Sequence, residues 1–551
     1  MDKDRALEEM MGKLGDFGRY QCFQFILHIL AAMTAGMHML SLVTVAAVPD
    51  HRCFLHGIDS YNATNSWNSS LVMAAIPVNE NDKFDSCRMY TRNHTSTAEC
   101  ESWVYNTQYF SSSRGIEWNF VCNQRWMGAI AQTVYMFGVV GGSLIFGRIS
   151  DKYGRKTAFV WSGVMQLLLG VLVALTNEYY SFLVVRFIYG IFGSGAYITG
   201  FVLTMELVGP SKRTICGVTF QVMFAIGIML VPAWGYLIDN RFYLQILYGL
   251  HAALLLPHWF IMDESPRWLW SQGRARESVA IIEKALKMNG ITENIDTSSL
   301  ISQCKATNAK YSDEQSAGTN DLFKTPRMLK KTLIICGCWF TNSVVYYGIS
   351  LNAGKLNGNP YFLMFLMGIV ELPSYVIITY FLDRVGHRAL ISTMMLLGGI
   401  ACLVIFFLPH GSITTTGMVM VGKLFISGSF SIIYKYSAEL FPTVVRSSGV
   451  GLGSMCASVS GALTPLINLL DTLNPKIPTI LFGFLALFSG FSTFFLPETI
   501  GRHLPQSLED GEKFGIGDNC FTNCSGQPLT DSIPDIPETM VPLDENKKTK
   551  E

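Results

Sequence analysis

The sequence is poor in charged side chains. Only 15% of its 551 residues are Asp, Glu, Lys or Arg, against roughly 25% in soluble domains. The formal net charge is zero, so no basic surface for nucleic acid is indicated. The chain also lacks a Walker sequence, a His or Cys cluster with metal-ligand spacing, and a serine-elbow motif. These absences argue against a nucleotide-driven pump, a metal centre and a hydrolase, and we expect no enzyme activity.

Long apolar runs are what the chain has in abundance. A helix that crosses a bilayer needs about 20 mostly apolar residues, and we count twelve such runs. One run alone would also fit a buried helix of a soluble protein, but twelve predict an all-α membrane protein. We number the runs helix 1 to helix 12. They centre near 21–47, 126–146, 157–176, 180–205, 215–237, 242–262, 331–352, 360–382, 389–408, 414–434, 448–470 and 475–496.

Lys and Arg are placed unevenly in the short connections, and this placement predicts the orientation. The 2–3, 4–5, 8–9 and 10–11 connections carry these residues, whereas the 3–4 and 9–10 connections carry none. Because cytoplasmic loops hold the excess of Lys and Arg, we expect both termini inside the cell. The predicted organisation is a cytoplasmic N-terminus (1–20), an N-terminal six-helix half (21–262) with an extracellular loop (49–125), a cytoplasmic linker with amphipathic helices (263–330), a C-terminal six-helix half (331–497) and a disordered cytoplasmic tail (498–551).

The long first loop has the composition of an extracellular segment. It contains four cysteines, which we expect to form two disulfides on the oxidising side of the membrane, with three pairings open. It also contains three Asn-x-Ser/Thr sequons, and three in one loop are better evidence for glycosylation than a single chance match. The cysteines are Cys53, Cys87, Cys100 and Cys122, and the sequon asparagines are Asn62, Asn68 and Asn93.

The two halves of the chain repeat each other at equivalent connections. Asp151-Lys-Tyr-Gly-Arg-Lys156 follows helix 2, and Asp383-Arg-Val-Gly-His-Arg388 follows helix 8. Helices 4 and 10 each end in a Glu seven residues before an Arg, and they begin with the cations Arg186 and Lys423. Parallel six-helix repeats are the signature of the major facilitator architecture, in which two halves rock around a central site.

The repeated acidic and basic residues predict a gating function at the cytoplasmic ends. We expect them to form a charge network that closes the outward-facing state and breaks when the halves rock. The alternative is that they supply only positive-inside charge and helix capping. The network would comprise Asp151, Arg155, Glu206 and Arg213 in the first half, and Asp383, Arg388, Glu439 and Arg446 in the second.

Several motifs resemble known carriers. The segments Glu264-Ser-Pro-Arg-Trp-Leu269 and Leu496-Pro-Glu-Thr-Ile-Gly501 are similar to motifs of sugar porters. The cysteine-bearing first loop is more specific, as are Trp339–Leu351 and Val370-Glu-Leu-Pro373. Together these features resemble the organic cation, anion and zwitterion transporters (solute carrier family 22), over residues of about 10 to 510.

The resemblance implies a polyspecific carrier of small organic ions in the plasma membrane. It implies a uniporter or exchanger with a small organic cation or zwitterion as substrate, and no cofactor. A coupling ion, sodium or proton, stays open, and we expect a functional monomer in the lipid bilayer. An organic anion carrier and a sugar-porter-like carrier are the alternatives within this fold. A receptor without transport is the alternative of another class, although a static receptor would not need two repeated halves.

Ionisable and aromatic residues within the helices are the candidate substrate contacts. A charge inside the membrane is costly and therefore marks a functional site. Glu371 in helix 8 resembles the acid of cation-carrying members of the family, and aromatic faces would add cation–π contacts. Tyr375 replaces the Lys of anion carriers, whereas Ser458 replaces both the Asp of cation carriers and the Arg of anion and carnitine carriers. Further candidates are His38, Tyr197, Gln221, Tyr346 and Tyr347.

Two residues have competing interpretations. Lys435 lies four residues before Glu439 on one helix face, which fits an internal ion pair. In the other interpretation Lys435 binds a substrate carboxylate while Glu371 and the tyrosines bind its amine, so the substrate is a zwitterion. His38 in helix 1 either lines the cavity and makes uptake pH-dependent or is a packing residue.

Overall fold

The computed structural model describes residues 2–59, 70–78, 84–91, 96–291, 319–382, 384–409, 411–502, 504–516 and 518. The predicted glycosylation sites Asn62, Asn68 and Asn93 lie outside these described residues, as does Asp383 of the predicted gating network.

The described chain forms the helices of a twelve-span membrane bundle. Eleven helical segments are long and apolar enough to cross a bilayer, and the twelfth is apolar but shorter. The predicted all-α class is thereby confirmed. The bounds are Arg19–Val45 (helix 1), Trp126–Tyr153 (helix 2), Arg155–Leu175 (helix 3), Tyr179–Leu207 (helix 4), Arg213–Leu237 (helix 5), Arg241–Ile261 (helix 6), Pro326–Leu351 (helix 7), Pro360–Phe381 (helix 8), His387–Val404 (helix 9), Ile413–Leu440 (helix 10), Arg446–Asn468 (helix 11) and Ile477–Thr493 (helix 12).

Helix 6 differs from the single continuous helix that the sequence predicts. It consists of an α-helix at Arg241–Leu250, a 3₁₀ segment at His251–Leu255 and a short α-helix at His258–Ile261. Pro257 stands at the last junction, and it has no N–H to continue a backbone hydrogen-bond ladder. The apolar run therefore spans as one segment without being one regular helix.

The loop between helices 1 and 2 contains two small antiparallel sheets. β1 (His51–Cys53) pairs with β4 (Trp103–Tyr105), and β2 (Arg88–Tyr90) pairs with β3 (Thr97–Glu99). Two disulfides cross-link the loop and settle the pairing that the sequence leaves open: Cys53 with Cys100, and Cys87 with Cys122. We call the end of the bundle that carries this loop the loop face.

The opposite end of the bundle, the linker face, carries the segment between helices 6 and 7. Its helix Ala275–Asn289 presents an apolar side, with Ile282 and Leu286 buried, to the N-terminal helix Asp2–Leu14. The Asn289 side chain accepts a hydrogen bond from the Tyr20 backbone N–H at 2.9 Å, which anchors this pair to the start of helix 1.

The tail, predicted to be disordered from residue 498, begins with ordered structure instead. The short helix Leu508–Lys513 starts at a capping box built by Ser507 and Asp510. Glu512 then accepts hydrogen bonds from the Thr325 hydroxyl at 2.6 Å and the Met328 N–H at 3.0 Å, at the start of helix 7. The free N–H groups of a helix N-terminus favour a carboxylate, and this attraction holds the first part of the tail on the bundle.

The two halves are joined by side chains at the loop face. Arg125, just before helix 2, forms an ion pair with Asp471, just after helix 11, with Nη2 2.8 Å from Oδ2. Tyr361, near the start of helix 8, donates its hydroxyl to the Tyr109 carbonyl at 2.9 Å. Its ring lies so close to Gly235 of helix 5 that a Cβ there would be 2.8 Å from Cε1.

Candidate substrate site

A cavity of about 130 Å³ lies between the two halves, with walls from both. Hydroxyl groups and one amide supply its polar lining, including Ser343, Ser431, Ser458 and Gln221. No charged side chain of the described residues lines it. Aromatic rings make up most of the remaining wall: Tyr135, Tyr197, Phe224, Tyr346, Tyr347, Tyr375, Phe430 and Tyr434.

The structure brings six of the nine predicted substrate contacts together around this cavity and places three elsewhere. The three that do not line it are Glu371, His38 and Lys435. The six that line it are Tyr197, Gln221, Tyr346, Tyr347, Tyr375 and Ser458.

Glu371 lies immediately behind the tyrosine wall in an ion pair. Its Oε1 is 2.9 Å from Nζ of Lys423 on helix 10, and both side chains are buried. The Tyr346 hydroxyl donates to the same oxygen at 2.8 Å, and the Tyr375 hydroxyl donates to Oε2 at 2.9 Å. Lys423 also donates to the Ser350 hydroxyl at 2.6 Å, so both charges are compensated.

Small residues allow helices 8 and 10 to approach closely enough for this ion pair. Ser374 of helix 8 donates its hydroxyl to the Leu424 carbonyl of helix 10 at 2.7 Å. Opposite it stands Gly428, where a Cβ would be only 2.9 Å from the Ser374 hydroxyl oxygen. Small residues and interhelical hydrogen bonds of this kind bring membrane helices together, and here they set Lys423 against Glu371.

His38 lies within the N-terminal half, outside the central cavity. It is fully buried, and its Nδ1 is 2.5 Å from the hydroxyl of Tyr189 on helix 4. Its position fits the packing interpretation better than direct contact with a solute in the central cavity.

Lys435 is half-buried near the linker end of helix 10, and its charge interacts with Glu439 one turn further on. Lys435 is twelve positions after Lys423, which corresponds to about 18 Å along a helix. The cation next to the tyrosine wall is therefore Lys423, and the position of Lys435 fits the internal ion pair.

A wider cavity of about 860 Å³ lies on the loop face, between the loop and the helix ends. The loop contributes Asp50, Arg88 and Glu99, and the bundle contributes Gln132 of helix 2 and Asn468 of helix 11. This outer cavity and the central cavity are lined by neighbouring turns of helix 2, because Gln132 faces the first and Tyr135 the second.

Comparison with known proteins places this geometry in a family. The family model of sugar (and other) transporters matches residues 63–509. An organic cation transporter protein of Drosophila melanogaster is 37% identical over 524 residues, which cover 92% of this chain and 95% of the relative. Solute carrier family 22 member 16 of Homo sapiens is 31% identical, with 96% and 98% covered. The chain belongs to solute carrier family 22. A further relative is the beta-alanine transporter of Drosophila melanogaster, 30% identical with 93% and 89% covered.

The membership makes the chain a multi-pass membrane transporter of small organic solutes rather than an enzyme. Its fold matches that of the xylose transporter XylE from E. coli in an inward open conformation, with a TM-score of 0.60 and 14% identity. That match covers 90% of this chain and 99% of XylE. A second XylE structure, bound to 6-bromo-6-deoxy-D-glucose, gives a TM-score of 0.58 at 15% identity. The major facilitator fold predicted from the repeats is thereby confirmed.

In the N-terminal half of this family member, the linker-face charges cluster around Arg155. Its guanidinium is 3.2 Å from Glu206 Oε1 and 2.9 Å from Asp151 Oδ1. The Glu264 carboxylate accepts the backbone N–H of Arg155 at 3.0 Å, at the start of helix 3. Gly154 precedes it with φ of 104°, and a Cβ there would be 2.4 Å from Glu264. Both the turn and the carboxylate therefore require glycine at this position.

The C-terminal half repeats this arrangement with a different cation. His387 occupies the position of Arg155 in the repeated motif, and its Nδ1 is 2.9 Å from Glu439 Oε2. Glu498 occupies the place of Glu264 and accepts the backbone N–H of Arg388 at 3.2 Å, at the start of helix 9.

The two arginines that end the repeated motifs also behave alike. Arg213 donates Nε to the Val208 carbonyl at 3.2 Å, and Arg446 donates Nε to the Phe441 carbonyl at 3.4 Å. Both bonds reach back five residues to the end of the preceding helix. Each linker-face ion pair described here joins residues of a single half, so the network that would close the outward-facing state stays a prediction.

Sequence reasoning missed four residues of these clusters. The repeat identifies Lys423 as a cation of helix 10, but nothing in the sequence pairs it with Glu371. His387 could have been found by aligning the two repeated motifs, because it stands where the first half has Arg155. Glu264 and Glu498 could have been found in the same way, because they stand at equivalent places after helices 6 and 12. The missed residues are Lys423, His387, Glu264 and Glu498.

Proposed function

We propose that this chain carries small organic amines, as cations or zwitterions, across the plasma membrane by alternating access. In this proposal the loop face is extracellular, the termini are cytoplasmic, and the central cavity binds the solute while the halves rock around it. The carrier works without a cofactor, and a gradient of the solute or of a coupling ion drives it.

The observation that carries the proposal is the uncharged, aromatic lining of the central cavity. A cation over an aromatic face gains about 0.5–2 kcal/mol, with the larger values where water is excluded. Eight aromatic side chains offer several such faces without fixing one ligand geometry, which suits a carrier of related amines.

Glu371 favours a positive charge through the two tyrosines rather than by direct contact. The hydroxyls of Tyr346 and Tyr375 donate to its carboxylate, which leaves their oxygen lone pairs to accept from an ammonium group. Hydrogen bonds in such a chain polarise one another in a low-dielectric site. Lys423 keeps the empty site neutral, so the carboxylate is not left as an uncompensated buried charge.

The relatives agree with an amine substrate. Two of them are described as an organic cation transporter and a beta-alanine transporter. Both solute types contain a positively charged nitrogen at neutral pH, and the aromatic cavity suits that shared group.

The test is uptake in cells that express the chain, with Glu371→Gln and Lys423→Met made singly and together. Either single change leaves a buried charge unpaired, which costs about 3–5 kcal/mol, and we expect reduced surface abundance. The double change removes both charges and should restore abundance. We expect it to lower uptake of a quaternary amine per surface molecule, because the tyrosine hydroxyls lose the carboxylate that polarises them.

Lys435→Ala serves as the matched control, because it also removes a lysine of helix 10, and Lys435 does not line the central cavity. Its uptake per surface molecule should stay near that of the unmodified chain. If the double variant transports amines normally, the role given to Glu371 is wrong. If no amine is taken up by the unmodified chain, the proposed substrate class is wrong.

A further inference from the structure

The N-terminal half contains a buried guanidinium that no carboxylate of the described residues pairs with. Arg186 of helix 4 is fully buried. Its Nη2 donates to Gln132 Oε1 at 3.3 Å, and its Cζ lies 4.8 Å from the centroid of the Tyr135 ring. Among the described residues, its Nε and Nη1 have no hydrogen-bond partner. Arginine keeps its charge in proteins, so these N–H groups are unused donors of a cation.

Comparison with the other half makes this arrangement unusual. Helix 10 of the other half also carries a buried cation, Lys423, but this one has both Glu371 and the Ser350 hydroxyl as partners. A buried charge without an opposite charge costs several kcal/mol. The hydrogen bond of Arg186 to Gln132 and its contacts with the rings of Tyr135 and Phe182 offset only part of that cost. The buried charges of Arg186, Lys423 and Glu371 therefore leave a net positive charge beside the path.

Arg186 lines neither cavity itself, but two residues that contact it do. Gln132, its hydrogen-bond partner, lines the outer cavity, and Tyr135, the ring against its guanidinium, lines the central cavity. Arg186 is seven residues into helix 4, which is about 10 Å from the loop-face end. A solute that moves between the cavities passes this part of the wall.

We infer that Arg186 binds the carboxylate of a zwitterionic substrate, a solute with a positively charged amine at one end and a carboxylate at the other. The inference rests on the proposed function, because the amine is bound by the tyrosine wall near Glu371. The planar guanidinium matches a carboxylate in geometry and offers it two N–H donors. Ser458 leaves helix 11 without a charge at the cavity, so the carboxylate needs a cation from another helix, and helix 4 provides it.

The experiment adds a competing carboxylate next to Arg186 without changing Arg186. Gln132→Glu places an acid where an oxygen already lies 3.3 Å from Nη2, and Gln132→Met removes the hydrogen bond without adding a charge. Uptake of two trimethylammonium solutes is measured: glycine betaine, which has a carboxylate, and choline, which has a hydroxyl group instead.

We expect Gln132→Glu to lower glycine betaine uptake per surface molecule about 10- to 100-fold, which corresponds to the roughly 1.5–3 kcal/mol of a hydrogen bond to a charged group. Choline uptake should change little in this variant, and Gln132→Met should affect the two solutes similarly. Arg186→Lys should also lower uptake of glycine betaine more than uptake of choline, because lysine keeps the positive charge but lacks the two parallel N–H donors of the guanidinium.

The outcomes separate this inference from the proposed function. Equal losses for both solutes in Gln132→Glu would show that Arg186 is structural and would overturn the inference. Choline uptake by the unmodified chain without recognition of glycine betaine or another amino acid-like zwitterion would also overturn it, while amine transport stands. Absence of uptake for every amine would overturn the proposed function itself.

Discussion

The carrier exchanges between a state in which the two halves are joined at the loop face and a state in which the loop face is open. The contact of Gly235 with Tyr361 allows this equilibrium to be shifted by adding one methyl group. These residues belong to different halves, and they meet only where helices 5 and 8 approach at the loop face. Gly235→Ala would place a Cβ 2.8 Å from Cε1 of the Tyr361 ring. Since carbon atoms pack at about 3.5–4.0 Å, the ring must move by roughly 1 Å or the helices must separate.

The expected free-energy change follows from two contacts. Overpacking a tight contact costs about 1–3 kcal/mol. A displacement of this size also stretches the 2.9 Å hydrogen bond from the Tyr361 hydroxyl to the Tyr109 carbonyl, and such a bond contributes about 0.5–1.5 kcal/mol. Both effects destabilise the state in which the two halves are joined at the loop face. Since about 1.4 kcal/mol is a factor of ten, the population of that state relative to the loop-face-open state should fall at least about tenfold.

The assay is the labelling rate of a cysteine in the central cavity by a thiol reagent that does not cross the membrane. Ser431→Cys provides the cysteine, because Ser431 lines this cavity, and the parent chain gives the background. Reagent added from the loop side should label it about tenfold faster in Gly235→Ala. Gly417→Ala in helix 10 is the matched control, since a Cβ there meets no atom within 4 Å. An unchanged or slower rate in Gly235→Ala would refute the reasoning.

Two further predictions concern the linker face. His387→Arg should retain uptake per surface molecule and His387→Leu should lose it, because Arg155 makes the equivalent contact to Glu206 in the first half; equal activity of the two variants would contradict this. Burial raises the pKa of Glu264, although hydrogen bonds from the N–H groups of Lys156, Ser265 and Arg155 offset part of the effect. The Glu264 carboxyl therefore contributes to the stability of the folded chain below its ordinary pKa of 4.5, and this contribution is lost as the pH rises through the raised pKa. Glu264→Gln should therefore flatten the dependence of Tm on pH above 4.5 in detergent, and an unchanged slope would contradict the assignment.

The helices were predictable because their signal is local. A run of about 20 apolar residues identifies a span, and most of the predicted runs begin and end within a few residues of the observed helices. Helices 2 and 10 extend further than predicted, to Tyr153 and Leu440. The break in helix 6 also had a local signal in Pro257, and the tail helix had one in the Ser507 and Asp510 capping box. The apolar length of helix 6 and the low hydrophobicity of the tail are stronger signals than these individual residues, and they predict a continuous helix and a disordered tail instead.

The contacts of the site were harder to predict because they join distant parts of the chain. Nothing in the sequence around Glu371 indicates Lys423, which is 52 positions later and meets it only because Gly428 and Ser374 bring helices 8 and 10 together. The sequence points to Lys435 instead, because its spacing of four residues from Glu439 is a local helical pattern. The disulfide pairing had the same limit, since four cysteines allow three pairings until the strands place them.

The most direct test of the central claim is uptake of a radiolabelled quaternary amine, tetraethylammonium, by the purified chain in proteoliposomes. An inside-negative potassium diffusion potential is imposed, and empty liposomes and the Glu371→Gln/Lys423→Met double variant are measured in parallel. The account predicts saturable uptake that other amines inhibit and hexoses do not, and that falls in the double variant. Uptake of hexoses without any effect of amines, or no uptake beyond that of empty liposomes, would contradict it.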